Sequence, residues 1–378
     1  MALLSARSQA RAALRSTPTS CATATVATKD EREPEMSDEI KRLVRRSASV
    51  FLIILTTVVW AATSKVAAPL TFGQTQNPSD ITRIFGNGTT GRRSSSSSTR
   101  RLPQPARFRY ASGRGLIVRA WVNDVGPFNF AIDTGAGSTI LSERVAQAAR
   151  VQIRSGRGGT LGGLSSATPV ATFEGQVRSI AIGEQSNLLS SGGVVLVTSR
   201  LPADVDGVLD PTSAFWPLGY VVDIPRGEIS AFDPQSQPLS ASQTPRGGAI
   251  VPWLFDSARP RPFVLLDNGR RALLDTGSGF GLGLSESAAR ALGVIAPRGR
   301  SGQGASDLGG GQITSRKIAP ITVRIGSLEL RRVPTDLLSG VDQSAPIILG
   351  REALRPFRLT FDPVNRLIEF APDEHVGD

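Results

Sequence analysis

The chain of 378 residues contains one cysteine, Cys21, and one histidine, His375. A single cysteine cannot form an intramolecular disulfide, so cysteine usage does not indicate the compartment in which the protein works. A Ser-His-Asp or Cys-His mechanism would depend on that one histidine near the C-terminus, and a zinc site of histidine and cysteine lacks ligands. We therefore predict no metal and no cofactor, and expect any hydrolysis to use carboxylates.

The charge and composition also restrict the class of protein. The formal net charge is +11, but the arginines are mostly scattered and few aromatic residues lie between them. This pattern is more typical of a solvated surface than of a nucleic-acid site, so no nucleic-acid partner is predicted. The 39 glycines and 25 prolines, which separate short runs of Val, Ile and Leu, predict an all-β protein with few helices.

The clearest pattern is an internal repeat. The tripeptide Asp-Thr-Gly occurs at residues 133–135 and again at 275–277, each time after a short apolar run. Downstream, LSERVAQAARV at 141–151 aligns with LSESAARALGV at 284–294. In both copies a serine is placed to cap a short helix that has glutamate in its first turn. The repeat predicts two lobes, each built from a strand, an acidic loop and a short helix.

The predicted organisation follows from this repeat and from shifts in composition. Residues 220–233 and 359–372 close the two lobes in similar ways and are predicted to form hairpins. The predicted segments are an N-terminal extension with a basic region at 1–46, a signal or membrane anchor at 47–64, a flexible low-complexity linker at 65–113, a first lobe at 114–233, a linker at 234–246, a second lobe at 247–372 and a tail at 373–378.

The segment at 47–64 predicts export. Four basic residues between positions 41 and 46 precede this uncharged, largely apolar run. The run is at the lower limit of length for crossing a bilayer, so a cleavable signal and an uncleaved single-helix anchor both stay open. Whether Met1 or Met36 is the true start also stays open. We expect an exported, periplasmic or extracytoplasmic protein, with the membrane as a partner if the anchor is kept.

Residues 114–372 resemble the aspartic protease family, and within it the retropepsin-like proteins. The motifs that carry the resemblance are the two Asp-Thr-Gly tripeptides and the Ile-Ile-Leu-Gly-Arg segment at 347–351, which is similar to the apolar segment that crosses behind the catalytic loop in that family. The resemblance implies an all-β, bilobal acid-protease fold, with two pseudo-symmetric β-barrel lobes. It also implies a polypeptide substrate and a site completed within one chain, so that the monomer is the active unit.

The resemblance assigns catalysis to Asp133 and Asp275. Two carboxyl groups within hydrogen-bond range cannot both ionise, so the pair would share one proton. The ionised member would take a proton from a water molecule while the protonated member polarises the peptide carbonyl. The sequence leaves open which aspartate is protonated first.

The residues around each aspartate have predicted supporting roles. Thr134 and Thr276 would tie the two loops together through crossed hydroxyl hydrogen bonds, as the resemblance implies. Gly135 and Gly277 would let backbone N–H groups approach the carboxylates.

The next position differs between the copies, with Ala136 in the first and Ser278 in the second. Ser278 is predicted to give Asp275 a hydroxyl hydrogen bond that favours its charged form. The hypothesis that follows is that Ala136→Ser lowers the pH optimum.

Two glycine-rich segments, at 156–163 and 302–311, are predicted to close over a bound peptide, because glycine permits a mobile and flat backbone. Their alternative interpretation is as ordinary surface loops. The candidate substrate-binding residues in these segments are Gly158, Gly159, Gly162, Gly163, Gly309 and Gly310.

One departure from the family pattern leaves the function open. Asp210 stands where the second copy has Gly350, which would either distort the support beneath Asp133 or mark a bend at Pro211. The alternative function is therefore a catalytically inactive module of the same fold that binds extended peptides. A structural sheet protein with coincidental acidic loops is the third hypothesis.

Overall fold

The computed structural model describes residues 102–165, 170–189, 192–255, 260–294, 303–306, 311–342 and 344–373. These ranges lie in one compact unit, residues 95–378. The predicted N-terminal extension, the segment at 47–64 and most of the predicted linker at 65–113 lie outside the described residues.

The described residues are mainly β-strands, as predicted. The strands are β1 (Ala106–Ala111), β2 (Gly115–Val122), β3 (Val125–Ile132), β4 (Ile140–Ser142), β5 (Gln152–Leu161), β6 (Val170–Val177), β7 (Ile180–Ile182), β8 (Gly193–Thr198), β9 (Gly207–Leu209), β10 (Gly219–Asp223), β11 (Glu228–Phe232), β12 (Ala249–Pro252), β13 (Phe263–Leu265), β14 (Arg271–Asp275), β15 (Leu282–Ser285), β16 (Gln303–Ser306), β17 (Gln312–Ile325), β18 (Leu328–Ser339), β19 (Ile347–Gly350), β20 (Phe357–Asp362) and β21 (Leu367–Pro372). The helices are short: α1 (Glu143–Ala148), α2 (Pro211–Phe215), α3 (Glu286–Ala291), α4 (Arg351–Leu354) and a 3-10 turn (Ala241–Gln243).

The two halves of the chain repeat one strand order. In the first half the order is β2-β3-β9-β4-β8-β6-β5, and in the second it is β13-β14-β19-β15-β18-β17-β16. Corresponding pairs also run in the same sense: β3 with β9 and β14 with β19 are parallel, as are β4 with β8 and β15 with β18. The all-β, bilobal fold predicted from the repeat is therefore confirmed.

The repeated Leu-Ser-Glu segments form the predicted capped helices. The hydroxyl of Ser142 accepts a hydrogen bond from Val145 N at 3.3 Å at the start of α1. The hydroxyl of Ser285 accepts one from Ala288 N at 3.1 Å at the start of α3. Each cap satisfies a backbone donor that a helix start leaves without an intrahelical partner.

A third group of strands joins the halves. The hairpins β10–β11 and β20–β21 form as predicted, and β10 pairs with β20 in antiparallel register. Beneath this pairing the rings of Tyr220 and Phe361 stack at 4.5 Å, with Phe215 and Trp253 against them. Truncating a buried phenylalanine costs about 3–5 kcal/mol. The stack therefore contributes substantially to holding the halves together.

Two segments assigned to linkers are ordered parts of the body. Strand β1 lies within the predicted linker at 65–113 and pairs with both β2 and β11, so the first lobe begins before residue 114. In the predicted linker at 234–246, Leu239 N donates to Asp362 Oδ2 at 3.2 Å. Low apolar content predicted flexibility for residues 65–113, but strand pairing fixes the backbone of β1, and the buried carboxylate of Asp362 holds the second linker at Leu239. Across the ranges that the structure describes, no helix has the length and apolar character to cross a membrane.

Candidate active site

Each predicted catalytic aspartate stands at the end of a buried strand. Asp133 directly follows β3, and its N–H donates to Leu209 O of β9 at 3.0 Å. Asp275 is the last residue of β14 and pairs in parallel register with Gly350 of β19. The apolar runs before the two aspartates fill the lobe cores, and this fixes where both acidic loops emerge.

The fold brings the two carboxyl groups together. The carboxyl groups of Asp133 and Asp275 lie close enough to interact, although 142 positions separate their loops. A Cβ added to Gly135 would lie 3.0 Å from Asp275 Cγ and 3.3 Å from Asp133 Oδ1. A Cβ added to Gly277 would lie 2.5 Å from Asp133 Oδ2. A side chain at position 277 would therefore force the carboxylate to move, and one at position 135 would require a shift of a few tenths of an ångström, because each loop backs onto the opposite carboxylate.

Crossed hydrogen bonds join the two loops beneath the carboxylates. The hydroxyl of Thr134 donates to Leu274 O at 2.7 Å and accepts from Thr276 N at 3.1 Å. The hydroxyl of Thr276 donates to Ile132 O at 3.0 Å and accepts from Thr134 N at 3.2 Å. Both threonines are fully buried. Each hydroxyl thus satisfies two backbone groups of the other half, and this fixes the spacing of the aspartates.

Backbone donors also support each carboxylate. Gly135 N donates to Asp133 Oδ1 at 2.8 Å, and Ser278 N donates to Asp275 Oδ1 at 2.9 Å. The structure has this backbone bond in place of the predicted hydroxyl bond from Ser278 to Asp275, and the Ser278 hydroxyl accepts from Phe280 N at 3.4 Å. The turn after the tripeptide aims the N–H, rather than the side chain, at the carboxylate.

The environment favours the protonated form of Asp133. Burial raises the pKa of Asp133 well above its ordinary value, and the charge and hydrogen bond of Asp275 raise the same pKa further. The N–H of Gly135 opposes these effects, whereas the negative charge of Asp210 adds to them. Burial and the neighbouring negative charges thus favour a protonated carboxyl at this position.

Opposing effects act on the pKa of Asp275. Burial raises the pKa of Asp275, but the N–H of Ser278 and the hydrogen bond from Asp133 oppose that shift. The positive charge of Arg351 and the N–H of Gly277 oppose it further. A carboxyl group that receives several hydrogen bonds is better able to hold a negative charge.

Asp210 does not disrupt the first lobe. Strand β9 keeps its parallel register with β3 over three positions, ending with Ile132 opposite Leu209. Asp210 then caps α2, accepting from Thr212 N at 3.2 Å, and Pro211 is the first helical residue. Of the two structural outcomes expected for this departure, the bend at Pro211 is the one found. Proline suits the first position of a helix because its missing N–H has no partner there.

Sequence reasoning gave no role to Arg351, although this residue reaches the site. Its side chain is buried, and Nη1 donates to Thr276 O at 2.7 Å and to Gly277 O at 2.6 Å. The guanidinium also lies 5.6 Å from the centre of the Tyr110 ring. The sequence signal that could have indicated a buried role is the arginine directly after an apolar strand, at the start of a short helix. An arginine is ordinarily expected to be exposed.

The predicted glycine-rich segments are only partly described. Gly158 and Gly159 belong to β5 and pair with β6 in a hairpin, and Gly162 and Gly163 follow at its end. The corresponding hairpin of the second half pairs β16 with β17. Gly309 and Gly310 lie outside the described residues, so their assignment stays a prediction.

The chain after β5 reaches the second half. Leu164 packs against an apolar cluster of Phe263, Leu273 and Ile348, and its carbonyl accepts from Asp342 N at 3.1 Å. Leu273 precedes Asp275 by two residues on β14 and therefore points to the same face of the strand. A buried apolar cluster therefore lies beside the strand that carries Asp275.

The first half has a corresponding buried cluster. Ile140, Leu161, Leu196 and Val208 form a separate buried cluster, and Ala136 of the acidic loop packs against it. Within the described ranges, no group of three or more His, Cys, Asp or Glu side chains is placed to hold a metal ion.

The structure has a bilobal all-β fold, with one acidic loop from each half at the candidate site. Residues 118–209 match a family model described as aspartyl protease. The matched range runs from β2 to β9 and includes the first Asp-Thr-Gly loop, so the resemblance stated from the sequence is confirmed there. The match supports a protease-like function. No curated protein matches the chain.

Proposed function

We propose that this chain is an aspartic endopeptidase that hydrolyses peptide bonds with a water molecule activated by Asp133 and Asp275. The observation that carries the proposal is the close approach of two carboxyl groups, one from each half, on loops tied by the threonine hydroxyls. Like charges in such a pair hold one proton between them. That state supplies an acid and a base at the same place, as general acid–base hydrolysis requires.

The proposed reaction needs no covalent enzyme intermediate. The ionised carboxylate takes a proton from water as the water oxygen attacks the peptide carbonyl carbon, and the protonated carboxyl gives its proton to the carbonyl oxygen. In the second half the roles reverse, the amine nitrogen is protonated and the C–N bond breaks. The hydrogen-bonded threonines and glycines hold both carboxylates in position throughout, so that little reorganisation is needed.

We also propose that one chain is sufficient for activity. Both aspartates come from the same polypeptide, and the central sheet joins the halves through β10 and β20. A single chain thus supplies both members of the pair, and size measurements on the active species should give the mass of a monomer.

The alternative of an inactive peptide-binding module rested on Asp210. Asp210 caps α2, and β9 keeps its register with β3. The presence of Asp210 in place of glycine therefore has a structural explanation and does not displace the Asp133 loop. The active enzyme is therefore the function that we favour.

Cleavage of a denatured protein such as casein, followed by mass spectrometry at acidic to neutral pH with and without pepstatin, tests the proposal. Asp133→Asn and Asp275→Asn should each reduce hydrolysis by roughly 10²–10⁴-fold, because each removes one member of the acid–base pair. A matched control is Asp204→Asn, since Asp204 is an exposed carboxylate that pairs with Arg114 at 2.7 Å. Cleavage that persists in either dyad variant would contradict the proposal.

Export is a further part of the proposal and rests on residues 47–64 alone. We expect the full chain to fractionate with the exported or membrane-bound proteins, and Ile53→Arg within the apolar run to retain it in the cytoplasm. N-terminal sequencing of the exported protein decides between a cleaved signal and an anchor. Equal fractionation of the native chain and the variant would overturn export.

A further inference from the structure

The two halves place opposite charges behind the two aspartates. Strands β9 and β19 run parallel to the strands that carry Asp133 and Asp275, and each ends beside the corresponding carboxylate. In the first half the chain continues as Asp210-Pro211, and in the second as Gly350-Arg351. The repeated fold therefore supplies a buried carboxyl group in the first half, at the position of Gly350, and a buried guanidinium in the second half, at the position of Pro211.

Asp210 is held firmly on the side of Asp133. It is only 1% exposed, its N–H donates to the Thr139 hydroxyl at 3.2 Å, and its carboxylate accepts from Thr212 N. Thr212 in turn forms a hydrogen bond with the hydroxyl of Tyr220 at 3.0 Å. The acidic group thus has a fixed position, and its negative charge disfavours a second negative charge on Asp133.

Arg351 is held equally firmly on the side of Asp275. Its two hydrogen bonds go to the carbonyl oxygens of Thr276 and Gly277, the residues that directly follow the aspartate. A guanidinium stays charged at any pH of interest. Arg351 therefore anchors the loop and at the same time stabilises a negative charge on Asp275.

We infer that Asp210 and Arg351 polarise the pair, so that Asp133 carries the shared proton in the resting enzyme and Asp275 is the base that takes the proton from water. This inference rests on the proposed function. The directions of the pKa shifts agree with it, since Asp210 raises the pKa of Asp133 and Arg351 opposes the rise in the pKa of Asp275. Both residues act through the aspartates and are positioning residues.

The proton balance of the cycle follows from this assignment. Asp275 gains a proton from the attacking water, and Asp133 gives its proton to the carbonyl oxygen, which leaves a gem-diol. Asp275 then gives its proton to the amine nitrogen while Asp133 recovers one from a gem-diol hydroxyl, and the C–N bond breaks. The cycle ends with the proton on Asp133, as it began.

Among the largest influences on the pair, the charged side chains besides the aspartates themselves are Asp210 and Arg351. Tyr220 lies beside Asp210, and burial raises the pKa of Tyr220 well above its ordinary value. Its hydroxyl is therefore uncharged in an assay at acidic to neutral pH.

The test is the pH profile of kcat/KM for Asp210→Asn and Arg351→Met. The enzyme is active when only one of the two carboxyls is ionised, so the acid limb follows ionisation of Asp275 and the alkaline limb follows ionisation of Asp133. Arg351→Met removes a charge that favours ionised Asp275, so its acid limb should move to higher pH. Asp210→Asn removes a charge that disfavours ionised Asp133, so its alkaline limb should move to lower pH. Each variant should lose activity several-fold at the affected limb.

Two controls keep the inference falsifiable. Asn at position 210 keeps an oxygen that can cap α2, and Arg351→Lys keeps the charge and should restore most of the acid limb. Carboxyl carbon NMR titration of the native chain, Asp210→Asn and Arg351→Met follows the pair without turnover. Limbs that move in the opposite directions, or that do not move at all, would overturn the inference. Absence of cleavage by the native chain would instead contradict the proposed function.

Discussion

The two halves of this protein are nearly identical in strand order and differ most in the residues that surround equivalent functional positions. Both use a parallel strand behind the acidic loop, a serine-capped helix after it and a threonine that reaches across. Behind the loop, one half has Asp210 and the other has Gly350 followed by Arg351. The comparison teaches that repetition of a fold is enough to bring two identical side chains together. The different residues behind the two loops are then enough to give those side chains unequal proton affinities.

A second asymmetry concerns the glycines that back onto the carboxylates. Gly277 lies closer to Asp133 than Gly135 lies to Asp275, because an added Cβ would be 2.5 Å from the nearer carboxylate oxygen in the first case and 3.2 Å in the second. The two loops are therefore packed with unequal tightness.

Among the variants that compare the two halves, the largest effect is expected at these glycines. Gly277→Ala should lower kcat/KM about 10²-fold, because the methyl group must displace Asp133 and small displacements of catalytic groups cost that much. Gly135→Ala requires a smaller shift and should lower kcat/KM by a smaller factor. The measurement is steady-state cleavage of one peptide by both variants, with thermal unfolding as the control for folding. An equal or reversed order of the two losses would contradict the packing difference.

The threonine pair should show no such asymmetry. Thr134→Val leaves Leu274 O and Thr276 N without their partner, and Thr276→Val leaves Ile132 O and Thr134 N without theirs. Each buried, unsatisfied group costs about 1–3 kcal/mol, so both variants should lose similar and substantial free energy of unfolding in urea denaturation.

Serine variants at the same two positions provide the control, since they keep the hydroxyl and should be much closer to the native chain. A near-neutral valine variant on one side alone would show that the crossed bonds are not equivalent.

The smallest effect is expected at the position after the tripeptide. Ala136→Ser was predicted from the sequence to lower the pH optimum by giving Asp133 a hydroxyl donor, as Ser278 was thought to do for Asp275. Because Ser278 supports Asp275 through its N–H, and Ala136 packs against an apolar cluster, the shift of the pH–rate profile should be downward but slight. A shift as large as that of Asp210→Asn would show that the introduced hydroxyl does reach Asp133.

Much of the fold could be predicted because the repeat constrains it locally. Ser142 and Ser285 precede helices in both copies, and an alternating apolar run before Asp133 and a continuous one before Asp275 place each aspartate at a strand end. The boundaries were less predictable. Strand β1 was assigned to the linker because residues 65–113 are mostly polar, yet pairing with β2 and β11 supplies hydrogen bonds that composition does not reveal.

The sequence was enough to predict the two aspartates of the candidate site, but not all of the groups that support them. The pairing of Asp133 with Asp275 followed from the repeated motif and the family resemblance. Two details could not be predicted from the sequence: that Ser278 donates through its backbone N–H, and that Arg351 binds the second acidic loop. Both depend on how a turn and a short helix orient their groups in three dimensions. Leu164 likewise meets the second half only because the hairpin of the first half extends toward it.

The sequence by itself determined the duplicated architecture and the identity of the two acidic loops, since hydrophobic periodicity and helix caps act over a few neighbouring residues. Only the tertiary structure decided which charges stand behind each loop. Asp210 and Arg351 lie 77 and 76 residues from the aspartates they influence. Electrostatic interaction depends on distance through space and on burial, and the folded chain alone sets both.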